Sequence, residues 1–324
     1  MMENNINEII SNSLNIDKEN LNNNIKNIIS QIKNEIFDSK DEILQKNYLD
    51  SGNDNGFIID FKFLNDVFEN LENEEFVYGN IIKSENSNNI IDYIKVADCG
   101  NVVVINDGNP YVIIEMIIRN IMAGNTSIFS NDGFMSETNN HLVSIVHNVL
   151  DKFSISKYLV QMYISDNFDN LLSNYANIDL VICIGNQSLQ RLVLNKSKNK
   201  TLVSGYTNFD IYIDDKEYIN IFNKINEYNL NVQFYVKSDI EFDDFDSIIV
   251  EDIEEAISQL NYNGSRYCSV IFTNSLENAT KFVNDIKAKF VSVNIFPNIG
   301  LITDIKQTDL FIEKKICSLL ELSN

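Results

Sequence analysis

NVVVINDGNPYVIIEMIIRNIMAGNTSIFSNDG, residues 101–133, decides how the chain is read. Val102, Val103, Val104 and Ile105 form an unbroken β-branched run, the pattern of a strand covered on both faces. Asn106-Asp107-Gly108-Asn109-Pro110 ends it with turn-formers. Ile113, Ile114, Ile117, Ile118, Ile121 and Met122 then recur at helical spacing, with Glu115 and Arg119 on the other side, placed to pair at i, i+4. Ala123-Gly124-Asn125 stops this helix, because glycine enters the left-handed C-cap conformation without steric cost. A second strand, 126–129, follows at once and runs into Ser130-Asn131-Asp132-Gly133. Short connections between strand, helix and strand favour a parallel pair with a right-handed crossover. Ligands of such sheets bind beyond the carboxyl ends of the strands, here 106–110 and 130–133.

Downstream the alternation continues. A helix at 136–153, carrying Leu142, Val143, Ile145, Val146, Val149 and Leu150, leads to a strand at 159–164. A helix at 168–175 leads to a strand at 179–184, Gly185-Asn186-Gln187-Ser188 opens the next helix, and 201–203 and 209–213 read as further strands. This alternation predicts a doubly wound α/β sheet. The second half repeats the style at smaller scale: helix 216–228, strand 232–236, an acidic loop at 239–246, strand 247–250, helix 253–260, strand 269–272, helix 276–288 and strand 291–295. A polar tail with one amphipathic turn, 312–320, closes the chain. Upstream, Ile6, Ile9, Ile10 and Leu14 make one helical stripe and Ile25, Ile28, Ile29, Ile32 and Ile36 a second. A further helix offers Phe61, Phe63, Leu64, Val67 and Phe68 for packing, and 76–82 with 90–96 reads as a hairpin around the polar segment 83–89. The expected division is 1–213, 214–299 and a tail, 300–324.

With 25 basic against 47 acidic residues the net charge is −22. Such a field repels polyanions, so no nucleic-acid partner is expected. Cys99, Cys183, Cys268 and Cys317 lie far apart without a CxxC pair, and the two histidines, His141 and His147, miss the i, i+4 spacing of a helical metal pair. No metal site is expected, and the thiols read as reduced and cytosolic. The segment MMENNINEII has no basic stretch before an apolar run, and nothing approaches about 18 uncharged apolar residues. Neither secretion nor membrane insertion is expected, which reads as a cytoplasmic protein.

Neither GxGxxG nor GxxxxGK[ST] occurs. Gly133 and Gly185 are the best-placed glycines, each just before a helix whose amides and dipole can hold a phosphate, with simple helix capping as the competing reading. Cys183 lies in the middle of an apolar strand and reads as an inert core thiol. Cys268 follows Gly264-Ser265-Arg266-Tyr267 at the start of a strand, where Arg266 can lower its pKa, and is the one thiol that qualifies as a nucleophile. The residues alone support a two-domain α/β protein, with a phosphorylated ligand as one reading of the glycine turns and plain helix capping as the other.

Two more segments extend the reading: NIDLVICIGNQSLQRLVLNKSKNKTLVSGYTNFDIYID, 177–214, and EDIEEAISQLNYNGSRYCSVIFTNSLENATKFVNDIKAKFVSVN, 251–294. With 101–133, in this order and spacing, they resemble the aldehyde dehydrogenase superfamily, most of all its glutamyl phosphate reductase (glutamate semialdehyde dehydrogenase) branch. The resemblance implies an aldehyde-dehydrogenase-like α/β fold. A doubly wound cofactor domain binds NADP or NAD without GxGxxG, a hairpin at about 76–96 makes a homo-oligomer, and a smaller catalytic-type domain, here truncated, faces the cofactor. Carried over by position, Ser130, Asn131 and Gly133 lie by the adenosine ribose and its phosphate, Gly185 and Asn186 by the pyrophosphate, and Asn109 and Pro110 at the floor of the active site.

The departures from the family pattern carry as much information. Relatives place their nucleophilic Cys between the helix and strand that read here as 216–228 and 232–236. This chain has EYNLNVQF there, without a thiol, so no catalytic residue is assigned. The module around Phe242 is shortened, the segment after Asn294 lacks the family's Gly-rich, Glu-containing stretch, and Ser130 stands where relatives carry a basic residue. Losing a covalent nucleophile costs on the order of 10⁶ in rate. The expectation is a catalytically degenerate member acting as a binding or partner subunit, with a paralogous subunit as a candidate partner. The alternative is an active NADP-dependent oxidoreductase that reduces γ-glutamyl phosphate to glutamate semialdehyde, in proline biosynthesis, with Cys268 as relocated nucleophile.

Overall fold

A computed structural model describes the chain at residues 8, 11–12, 16–51, 58–75, 78–87, 90–131, 133–164, 168–173, 175–185, 187–204, 209–220, 232–240, 247–264, 268–295, 303 and 305–319. It divides into two compact units, Met1–Ser204 with Gly300–Asn324, and Gly205–Ile299.

The first unit opens with three helices. Asp17 caps α1 (Lys18–Asp38) by accepting from the Asn20 amide, and Leu21, Ile25, Ile28, Ile29, Ile32 and Ile36 form its buried stripe. After α2 (Lys40–Ser51) and α3 (Phe61–Glu72), the strands β1 (Ile81–Ser87) and β2 (Ile90–Asp98) pair antiparallel. Then strands and helices alternate: β3 (Asn101–Asn106), α4 (Pro110–Met122), β4 (Thr126–Asn131), α5 (Ser136–Lys152), β5 (Val160–Ile164), α6 (Asp169–Ser173), β6 (Leu180–Ile184), α7 (Gln187–Lys196) and β7 (Thr201–Ser204). The five strands form one parallel sheet in the order β5-β4-β3-β6-β7. The winding therefore reverses between β3 and β6.

Every residue of α4 is buried. The helix packs against α1, α3 and α5, so its polar side is enclosed along with its apolar one. Each buried isoleucine contributes roughly 1.5–3 kcal/mol relative to exposure. Glu115 and Arg119, expected to pair, do so at 2.9 Å, but in the interior. The Arg119 guanidinium also makes a two-pronged bond to Glu74, at 2.7 and 2.8 Å. Thr303 closes the network by donating its amide (3.0 Å) and hydroxyl (2.9 Å) to Glu115. Alongside it, Asn125 accepts from the Cys99 and Gly100 amides and donates to the Leu310 carbonyl.

The second unit holds β8 (Phe209–Ile213), β9 (Val232–Lys237), β10 (Ile248–Val250), α8 (Ile253–Asn263), β11 (Cys268–Phe272), α9 (Leu276–Asp285) and β12 (Phe290–Val293). Its strands are parallel in the order β10-β9-β8-β11-β12, the same winding as the first sheet. Phe209, Ile211, Phe234, Val236, Val270 and Phe272 pack one face, while Tyr212, Tyr235 and Ile271 meet α8 and α9 on the other.

Several expectations shift. The strand 209–213 is the centre of the second sheet, so the boundary falls before it rather than at 213/214: its partners are β9 and β11. In the hairpin, residues 83–87 pair with β2 instead of forming the expected loop, and 76–77, at the expected start of its first strand, lie outside the described residues. The tail is a nine-residue strand, β13 (Phe311–Leu319), rather than an amphipathic turn, and pairs antiparallel along the whole of β2 to make a three-stranded sheet. Of the helix expected at 216–228, Lys216–Tyr218 is a short 3-10 turn, and 221–228 lie outside the described residues. So do most of the stripe Ile6 to Leu14 and most of the loop at 239–246.

Candidate functional site

The reversal between β3 and β6 sets their two exit turns side by side, where open α/β sheets take ligands. Asn106 closes β3 opposite Ile184. Its Oδ1 accepts the Gly108 amide at 2.7 Å, an Asx turn. Its Nδ2 is buried without a hydrogen-bond partner among the described residues. Gly108 adopts φ +88°, and a Cβ there would lie 2.3 Å from the Phe134 carbonyl oxygen, so glycine alone lets this turn lie against the segment after β4. Asn139 of α5 clamps the two together, donating to the Gly108 carbonyl at 2.7 Å and the Phe134 carbonyl at 3.4 Å. Asn109 caps α4 by accepting the Tyr111 amide at 3.0 Å, and Pro110 takes the first helical position, where no amide is needed.

By strand register, Asn109, Pro110 and Gly185 sit at the reversal. The Gly185 amide donates to the Ser204 carbonyl at 3.1 Å and its carbonyl accepts from Gln190 at 2.8 Å; Asn186 lies outside the described residues. Ser130 and Asn131 are one strand away in β4. Ser130 is wholly buried, its hydroxyl without a partner among the described residues, and Asn131 pairs through its backbone with Ile164.

The helix after Gly133 departs from expectation. Gly133 takes φ +95°, but the end of α5 that was to receive a phosphate already holds a carboxylate of the protein's own. Asp50, the penultimate residue of α2, accepts the Glu137 amide (3.1 Å), the Thr138 amide (2.8 Å) and the Thr138 hydroxyl (2.7 Å). Lys46, one turn earlier, pairs with Glu137 at 2.9 Å. An anion in this position gains from the helix dipole, which is why the site is filled.

Three of the four thiols stand away from the carboxyl ends of the parallel strands, and the fourth, Cys183, is the next-to-last residue of β6, in register with Ile105. Cys183 is inside β6 and fully buried, and burial, with Asp107 nearby, pushes its thiol up to about 12. Cys268 opens β11 at its amino end, in register with Phe209 and Phe290. It is fully buried, and burial, with Asp210 adding repulsion, also raises it to about 12. The described surroundings of Cys268, apolar and acidic, raise rather than lower its pKa, while Arg266, on which its expected activation rested, lies outside the described residues. Cys99 precedes β3, again an amino end, and is raised by burial; Cys317 lies on β13, raised by its hydrogen bond to Asp92. The histidines pack rather than bind: His147 bonds the Val160 carbonyl at 2.7 Å, with burial lowering its pKa, and His141 faces Glu42 at 3.6 Å. Among the described residues no cluster of metal-binding side chains occurs, and no helix is long and apolar enough to cross a membrane.

The second sheet's reversal, between β8 and β11, is closed. Asp214, just past β8, accepts from the hydroxyls of Tyr212 (3.0 Å) and Thr273 (2.5 Å) and from the Asn278 amide group (2.7 Å), with Lys237 at 3.9 Å. Asn294, after β12, bonds both the amide and the carbonyl of Thr273 at 2.8 Å. Sequence reading missed this knot and the roles of Asn106, Asn139 and Asp50. Asp50 meets residues 87 and 88 positions away, a pairing without local signal.

No family model matches the chain. It is 28% identical, over 122 residues, to the gamma-glutamyl phosphate reductase of Petrotoga mobilis, a match covering 37% of this chain and 29% of that protein. The matched segment thus spans under a third of that relative's length. Among solved structures, the gamma-glutamyl phosphate reductase of Thermotoga maritima superposes with TM-score 0.65 at 17% identity, covering 97% of this chain and 98% of that one. The glyceraldehyde-3-phosphate dehydrogenase of Methanocaldococcus jannaschii, solved with NADP, gives 0.75 at 14% identity over 98% and 95%. The fold is that of the aldehyde dehydrogenase superfamily, and the sequence similarity is to gamma-glutamyl phosphate reductases.

Proposed function

We propose that this aldehyde-dehydrogenase-fold chain, related to gamma-glutamyl phosphate reductases, binds a nicotinamide dinucleotide but lacks thiol-based catalysis, acting as a binding or partner subunit. The observation that carries the reading is the placement of its four cysteines. Two are buried inside strands with pKa values near 12, and the others sit before β3 and on β13. A thiol must be ionised and reach the ligand to attack it; Cys183, next to the carboxyl end of β6, is wholly buried with a raised pKa, and the other three lie away from the carboxyl ends of the parallel strands. The residues at the first reversal fit a dinucleotide's neutral parts: the buried Nδ2 of Asn106 has no partner among the described residues and is a donor open to an acceptor, and the Gly185 turn allows close backbone approach. Asn106 and Gly185 would hold it; such a cofactor, when bound, supplies or accepts a hydride.

The outer sheet of β1, β2 and β13 supports a subunit contact. It exposes Ile81, Ile82 and Ile312, and exposed apolar side chains on a two-edged sheet favour pairing with a second copy. The relatives' name favours a second reading, an active reductase of γ-glutamyl phosphate; the raised thiols weigh against it. Assaying the purified chain with γ-glutamyl phosphate and with simple aldehydes, in the presence of reduced and oxidised dinucleotide, separates the two. Turnover above about 1 s⁻¹, the lower range of ordinary enzymes, would refute the proposal.

A further inference from the structure

We propose that the cleft where α3 and α4 end beside the middle of α1 is a binding site for a small carboxylic acid with an apolar body. The cleft encloses about 240 Å³. Ile25 and Ile29, one turn apart on α1, Leu71 near the end of α3 and Met122, the last residue of α4, give it apolar walls. All four belong to the buried core. Packing on their other sides holds them in place, so the space is preformed, as ligand sites of small molecules usually are. An apolar cavity of about 150 Å³ takes up benzene, and by that measure this one has room for roughly ten non-hydrogen atoms.

The charges around the cleft select the head group. Glu74 is engaged in its two-pronged bond with Arg119, at 2.7 and 2.8 Å, and Glu72 is paired with Lys33 at 3.1 Å. Each lining carboxylate therefore already has its cation. Lys26 is the exception: exposed at the rim, it has no hydrogen-bond or ion-pair partner among the described residues. Its apolar stem can lie along the wall while the ammonium reaches the mouth. An amine entering the cleft meets an unmatched ammonium and two carboxylates whose bonds it has to break, whereas a carboxylate gains Lys26 at no such cost. The cleft lies at the opposite end of α4 from Asn109 and Pro110. It is thus separate from the first crevice, and the inference stands whether or not a dinucleotide binds there.

The test is calorimetric titration of the full chain with octanoate, which matches the cleft in size, beside the uncharged 1-octanol and the cationic octylamine. Octanoate is expected to bind with a Kd of about 1 mM or tighter, to raise the Tm, as a ligand of the native state does, and to bind more tightly than either analogue. Lys26→Gln, a surface change on a helix, is expected to weaken octanoate about threefold to fivefold, the scale of an exposed ion pair, and to leave 1-octanol unchanged. Ile29→Phe, which fills the cleft, is expected to abolish binding of both. Four results overturn the inference: no binding of octanoate, octylamine binding as tightly as octanoate, octanoate affinity untouched by Lys26→Gln, or octanoate affinity untouched in a folded Ile29→Phe chain. Where Ile29→Phe does not fold, the Lys26→Gln comparison decides alone.

Discussion

The two units wind their five strands in the same order, yet they lock their buried polar groups at opposite ends of the sheet. In the first, the lock lies toward the strands' amino ends. There Arg119 holds Glu115 and Glu74, Thr303 covers Glu115, and Asn125 ties the start of β3 to Leu310. In the second, the lock is the Asp214 knot at the carboxyl ends of β8 and β11. A reversal of winding offers a crevice in either sheet. Among the described residues, only the first leaves a buried donor, the Nδ2 of Asn106, unmatched at that crevice. Topology thus offers two crevices, and the placement of buried polar side chains distinguishes them.

The largest expected effect comes from breaking the first lock. Arg119→Met strands Glu115 at 0% side-chain exposure beside Glu74, and removing one partner of a buried ion pair costs about 3–5 kcal/mol. Urea unfolding of the full chain should show that loss; a change under about 1 kcal/mol would mean the network is not what holds α4.

Asp214→Ala should cost about 2–3 kcal/mol, because two hydroxyls and an amide lose their acceptor. It should leave NADH affinity untouched. If it abolished nucleotide binding instead, the second reversal would be a site and the contrast between the units would fail.

Asn106→Ala is expected to cost only about 1 kcal/mol, the worth of the bond to Gly108, yet to weaken NADH binding about tenfold, the scale of one lost hydrogen bond in a buried site. Unchanged affinity in calorimetry would detach Asn106 from the ligand.

The smallest effect at neutral pH concerns the thiols. Cys183 and Cys268 rise from an ordinary value of 9.0 to about 12 on folding, so the folded state binds their protons more tightly than the unfolded state. Their contribution to stability is full below pH 9 and falls as pH rises from there toward 12. With a thiol reagent at pH 8, the exposed Cys317 should react first, and Cys183 and Cys268 only on unfolding. Fast labelling of either buried thiol in the native chain would contradict their placement.

Most of the alternating core was legible because its signals are local. The β-branched run 102–105 became β3, and the Asn109-Pro110 cap and Gly124 stop bound α4 as read. What escaped depends on distant partners. Glu115 and Arg119 look like a solvent-side pair until α1, α3 and Thr303 enclose them. The alternation in 311–319 reads as a helical turn until β2, over 200 residues earlier, supplies its register. The strand 209–213 was recognised but given to the wrong sheet, since sequence carries no mark of which sheet a strand joins. At the candidate site the glycines and Asn109-Pro110 were visible as turn chemistry. The occupation of the α5 end by Asp50 was not, because that carboxylate arrives from another helix.

The central claim, a cofactor-type fold without a working thiol, is tested most directly by mass. Intact-protein mass spectrometry after incubating the full chain with γ-glutamyl phosphate or an aldehyde, together with dinucleotide, should return the unmodified mass. An acyl adduct on Cys99, Cys183, Cys268 or Cys317 that hydroxylamine removes would contradict the account.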